Sequence, residues 1–107
     1  MRYCLTLDLR DDPLVLAEYD RYHRDVWPEV LADMRTSGVD DMTIWRLGNR
    51  LVMWLVLRPG VALDALRPSP SAHPRVIEWQ AQMRCLQKPL PGSTVAEWKP
   101  MEVVFQL

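Results

Sequence analysis

Residues 51–57, LVMWLVL, are apolar on both faces of any strand they form, and this restricts the fold more than any other stretch of the chain. Read with period two, Leu51, Met53, Leu55 and Leu57 fall on one face, and Val52, Trp54 and Val56 on the other. A sheet face in contact with water alternates with polar residues, so this strand needs cover on both sides. The chain has 107 residues, enough for one core that buries about two thirds of the unfolded surface. Helices from so short a chain cover one face of a sheet. The second face is left to another copy of the same sheet in a symmetric homodimer, with loops folded across it as the alternative.

The neighbouring segments supply the rest of such a domain. In residues 2–10, Tyr3, Leu5, Leu7 and Leu9 alternate with Cys4, Thr6 and Asp8, which predicts a strand. Asp12-Pro13 is an N-cap followed by proline at the first helical position, so a helix is expected over 13–24. Pro28 interrupts it, because proline disfavours helical geometry in the residue before it. Glu29 then suits the first turn of a second helix, which ends at Gly38. Residues 42–47 and 50–57 are β-rich and flank Gly48-Asn49, a pair suited to the positive φ angles of a tight hairpin. Residues 58–74 hold Pro59, Pro68, Pro70 and Pro74 and read as a surface connection with a short helical turn at 62–66. His73-Pro74 opens a helix carrying Val76, Ile77, Trp79, Met83 and Leu86, which ends before Lys88-Pro89. Residues 89–93 are loop, 94–98 are expected to be extended, and 101–107 (MEVVFQL) are expected to form the last strand. The resulting order β-α-β-β-α-β is that of an α+β, ferredoxin-like single domain, a four-stranded antiparallel sheet with helices on one face.

Composition removes several function classes. Thirteen Lys and Arg against fourteen Asp and Glu give a net charge of -1, so no positive field gathers phosphates and nucleic acid is not an expected partner. The N-terminal segment MRYCLTLDLR has no long apolar stretch of a signal peptide, and no apolar run reaches the length of a membrane span. Cys4 and Cys85 are read as reduced thiols packed in the core, which points to the cytoplasm. Two histidines fifty residues apart make a poor metal site, and there is no glycine-rich phosphate loop, G-x-S-x-G elbow or C-x-x-C pair.

Tyr19 and His23 stand four apart on the first predicted helix, one turn from each other on one face. Histidine trades protons near neutrality and tyrosine hydrogen-bonds a ligand hydroxyl, although such a pair on spacing alone is more often a half-buried contact. The chain carries five tryptophans. Indole rings stack on the apolar faces of sugars while nearby polar groups satisfy the hydroxyls, so a pocket of Trp, Tyr, His and Glu suits a carbohydrate. Arg24, Glu29 and Trp54 have equally good structural explanations and stay outside the catalytic set.

The run EYDRYHRDVWPE, with Tyr19, His23, Trp27, Pro28 and Glu29 at fixed spacing, resembles the signature of the L-rhamnose mutarotase family. Nearly the whole chain is similar to that family, through Ser37-Gly38, Trp79 with Met83, and the terminal Val104-Phe105-Gln106-Leu107. The resemblance implies a dimeric α/β barrel in which two ferredoxin-like sheets face each other, in agreement with the doubly apolar strand. It implies His23 as the acid/base residue, Tyr19 as a substrate-binding tyrosine and Trp79 as the first of two adjacent tryptophans lining the sugar pocket. Met42 stands where the family has a second substrate tyrosine, and Gln80 where it has the second tryptophan. Changes of this kind alter which sugar hydroxyls are satisfied, so the implied substrate is a 6-deoxy-L-hexose, L-rhamnose or L-fucose.

The implied activity is that of an isomerase, exchange of α and β anomers by acid/base ring opening with no cofactor. A cofactor-independent or haem-linked monooxygenase shares the barrel and is the first alternative, since fold alone does not choose. A non-catalytic sugar-binding module is the second.

Overall fold

The computed structural model describes residues 1–66 and 71–107. Strand β1 (Arg2–Leu9) is followed by helices α1 (Pro13–Arg24) and α2 (Pro28–Ser37), strands β2 (Val39–Leu47) and β3 (Arg50–Leu57), and a short 3-10 turn (Leu63–Leu66). Helix α3 (Pro74–Leu86) and the two-residue strands β4 (Gln87–Lys88) and β5 (Lys99–Pro100) complete it. Of the connection expected over 58–74, the helical turn is present at Leu63–Leu66, and residues 67–70 lie outside the described residues.

Local chemistry sets the helix ends. The Asp12 carboxylate accepts from the Leu14 N–H and Pro13 occupies the first turn of α1, an arrangement that satisfies one orphan donor and omits another. Trp27 holds extended geometry before Pro28 and forms the N-cap of α2. Gly38 closes α2 in the left-handed region at φ 105°, with its N–H donating to the Arg35 carbonyl, and a Cβ there would lie 2.6 Å from Val61 Cγ2. In the β2–β3 hairpin only Gly48 takes a positive φ, at 60°. Asn49 does not, so the turn has the pattern with one left-handed residue at its first central position. Asn49 is used instead to tie the hairpin to β1: its side-chain amide donates to the Leu9 carbonyl, and its own carbonyl accepts from the Leu9 N–H.

The sheet is antiparallel in the order β2-β3-β1-β4, with β5 also on β1, the α+β arrangement expected of a ferredoxin-like chain. A strand has two edges and β3 occupies one of those of β1, so β4 at Asp8-Leu9 and β5 at Leu5-Thr6 share the other. One face of the sheet is the core. Leu7, Leu9 and Leu51 are fully buried, and Leu5, Met53, Leu55 and Leu57 nearly so. Leu9 and Leu51 pack with Val15, Tyr19, Val30, Val76, Trp79, Met83 and Leu86 from the helices, while Leu5, Met53, Leu55 and Leu57 form a second cluster against Val39, Met42 and Val61. The opposite face carries Cys4 against Trp54 and Thr6 against Val52, with Trp45 beside Val52. Here Val52, Trp54 and Val56 remain half-buried and Trp45 is 56% exposed. At its end Asp8 is buried and accepts two hydrogen bonds from the Arg50 guanidinium, at 2.7 and 2.9 Å.

The structure corrects three expectations. Residues 101–107 do not form the last strand. They are exposed throughout, with Val104 96% exposed, because the ladder to β1 stops at the Met101 N–H bond to the Cys4 carbonyl and strand propensity without a paired edge makes no sheet. Residues 94–98 form no strand, and the ladder begins at Lys99. The thiols are not core groups: Cys85 is exposed and Cys4 half-buried, since the buried stripe of α3 runs through Val76, Trp79, Met83 and Leu86 and leaves Cys85 and Ile77 on its outer side.

Candidate functional site

Tyr19 and His23 project from the inward side of α1. Their rings stack with centroids 4.1 Å apart and planes 26° apart. The His23 Nδ1 lies 2.8 Å from the Tyr19 carbonyl oxygen. A carbonyl only accepts, so Nδ1 carries the proton of the neutral ring and the lone pair sits on Nε2. Burial pushes the His23 pKa below its ordinary 6.5, against smaller opposing effects of the Tyr19 carbonyl and Asp20. The residue is therefore held as a neutral base with a defined tautomer. Burial also raises the Tyr19 pKa, which keeps it a phenol able to donate and to accept.

Helix α3 brings Trp79 edge-on to His23, with centroids 5.3 Å apart and planes at 67°. Tyr22 and Trp27 meet the same indole edge-on, at 5.5 and 5.3 Å, a geometry aromatic rings favour through their quadrupoles. Tyr19, His23 and Trp79 wall one side of a cavity of about 540 Å³ between the helices and the sheet. That volume lies within the range of small-molecule sites, roughly 300–1,000 Å³. Met34, Met42, Met53 and Met83 line its apolar part, and Arg35, Asp40, Asp41 and Gln87 contribute polar groups.

Four of the five expected site residues thus share one cavity: His23, Tyr19, Trp79 and Met42. Gln80 is not among the lining residues and is half-buried on α3. Successive helical residues point about 100° apart, so the side chain after Trp79 turns away from the wall that Trp79 forms. Arg24 is exposed, Glu29 faces Arg75, and Trp54 lies on the other side of the sheet. The cavity also includes Trp98, one of the tryptophans weighed for an aromatic pocket, and Gln87, which the sequence did not single out. Gln87 pairs with Leu9 across β4 and β1, which puts its amide on the core-facing side of the sheet. No metal-holding group of three or more His, Cys, Asp or Glu occurs among the described residues.

A family model described as L-rhamnose mutarotase matches residues 2–107. The chain belongs to the L-rhamnose mutarotase family. It is 38% identical over 109 residues to the L-fucose mutarotase of Xanthomonas campestris pv. campestris, across 99% of this chain and 87% of that protein. It is 35% identical over 98 residues to the L-rhamnose mutarotase of Acidiphilium cryptum, across 90% and 89%. The crystal structure of an L-rhamnose mutarotase from Formosa agariphila superposes with a TM-score of 0.70, at 19% identity, over 100% of this chain and 98% of that one. This last likeness speaks to the fold and bears out the ferredoxin-like reading. Membership of the L-rhamnose mutarotase family bears out the expectation of an isomerase that exchanges sugar anomers.

Proposed function

We propose that the chain interconverts the α and β anomers of a 6-deoxy-L-hexose, with L-fucose or L-rhamnose as substrate and His23 as the acid/base residue. The observation that carries the assignment is the half-buried His23, whose Nδ1–H is engaged by the Tyr19 carbonyl so that Nε2 is the available base. Nε2 takes the proton of the anomeric hydroxyl, the C1–O5 bond opens as C1 becomes the aldehyde, and a proton is delivered to the ring oxygen. C1 rotates, O5 attacks either face, and the protons return along the same path. No carbon–hydrogen bond breaks and no electrons leave the sugar. A positioned acid/base group contributes typically about 10² to 10⁴ in rate to such transfers.

Tyr19 binds a sugar hydroxyl through its phenol, Trp79 stacks on the apolar sugar face, and the Met42 thioether borders the sugar. Gln80 is not among the residues that line the cavity, and Gln87, which is, offers an amide to a sugar hydroxyl. The protein works as a homodimer in the cytoplasm, within carbohydrate metabolism. The half-buried Val52, Trp54 and Val56, the exposed Trp45 and the apolar 101–107 tail supply the surface a second copy would cover. No helix among the described residues is long and apolar enough to cross a membrane.

Saturation-transfer proton NMR of anomer exchange on L-fucose, L-rhamnose and D-galactose tests the assignment. Faster exchange of one or both 6-deoxy-L-hexoses, with D-galactose at the uncatalysed rate, is the expected result. Uncatalysed rates on all three would remove it.

A further inference from the structure

Arg75 sits in the first turn of α3, where a cation opposes the helix dipole and no acidic residue accompanies it. Its contacts account for the placement. The guanidinium carbon lies 3.8 Å from the centroid of the Trp27 indole, a close cation–π stack. Its nitrogens lie 3.9 Å from a Glu29 carboxylate oxygen on α2 and 3.7 Å from Glu78 on its own helix. That Glu29 oxygen is buried and makes no hydrogen bond among the described residues, so Arg75 is the charge that balances it. Trp27 in turn meets Trp79 edge-on at 5.3 Å, and Trp79 meets His23. Neither Arg75 nor Trp27 lines the cavity.

We infer that Arg75 is a positioning residue: by pressing Trp27 against Trp79, it fixes the indole wall on which the sugar stacks. The inference deepens the mutarotase reading, and its kinetic consequences rest on that reading. Arg75 acts on the wall and not on the base, because His23 is held separately by the Tyr19 carbonyl on α1. Loosening the wall weakens sugar binding while the proton-transfer group keeps its tautomer and its pKa. The signature is therefore a rise in KM with kcat and the pH profile unmoved.

The experiment compares wild type, Arg75→Ala and Arg75→Lys, with Glu78→Ala as a control that removes one ion pair and leaves the stack. Anomer-exchange kinetics and near-UV circular dichroism of the indoles are measured on each, with far-UV spectra to verify folding. Arg75 is partly exposed, so the folded state should survive. The expected result for Arg75→Ala is an altered indole spectrum and a KM raised about 3- to 10-fold, the loss of a contact of about 1 kcal/mol, with kcat within about twofold. Lysine, which keeps the charge, recovers part of the effect, and Glu78→Ala matches wild type. A wild-type KM in folded Arg75→Ala overturns the inference, as does a fall in kcat with a displaced pH profile. If wild type accelerates no sugar, the mutarotase reading fails by itself, and the indole spectrum alone decides: unchanged, it overturns the positioning role; altered, it upholds it.

Discussion

Proton transfer depends on one nitrogen. His23 Nε2 is the base because Nδ1 donates to the Tyr19 carbonyl, and burial keeps the ring neutral. Since the folded pKa is depressed below the ordinary 6.5, kcat/KM should be flat above about pH 6.5 and fall tenfold per pH unit well below the folded pKa, with one proton responsible. The same shift makes this residue's share of stability complete above 6.5 and lost as pH falls through the folded pKa, because the unfolded chain binds the proton more readily. A pH–rate profile checks the first point, and an acid-limb midpoint above 6.5 would contradict it. The Tyr19–His23 pair was legible in the sequence as two proton-trading groups one helical turn apart, and its role came from the family signature. Gln87 was not legible. Its access to the cavity depends on its pairing with Leu9 across the sheet, and no local pattern encodes which residues face each other across strands that far apart in the chain. Gln80 stands outside the cavity lining for the converse reason: adjacency to Trp79 in sequence is divergence on a helix.

Where an element's ends are set by local chemistry, the sequence located them closely. Asp12-Pro13, Pro28, Gly38 and His73-Pro74 mark the ends of α1, α2 and α3 as read. Gly38 carries a double constraint, a left-handed backbone and the close approach of Val61. Gly38→Ala should therefore destabilise the fold by about 1–3 kcal/mol through strain and displacement of the Val61 side chain, read as a lower midpoint in urea unfolding. A midpoint equal to wild type would show that the α2–β2 joint tolerates a side chain. The strand expected over 101–107 does not form, because MEVVFQL has the composition of a strand and lacks a partner edge. Composition reports what a segment can pair as, and the ladder decides whether it does.

At the scale of the molecule, the doubly apolar β3 is the feature that a single copy leaves unresolved. One face is the core, and the other presents Val52, Trp54 and Val56 half-covered beside an exposed Trp45. An apolar face left open in this way is the kind of surface that a second copy of the sheet covers. Sedimentation of the wild type should give twice the chain mass. Trp54→Glu, which sets a carboxylate into the apolar face, should shift it to the monomer, whereas a monomeric wild type would contradict the homodimer. Everything in the functional account nevertheless converges on His23 within its cavity. The most direct test is anomer exchange by saturation-transfer proton NMR on the accepted deoxysugar, comparing wild type with folded His23→Ala. The account predicts exchange reduced by about 10² or more in the variant. Exchange as fast as wild type would contradict it.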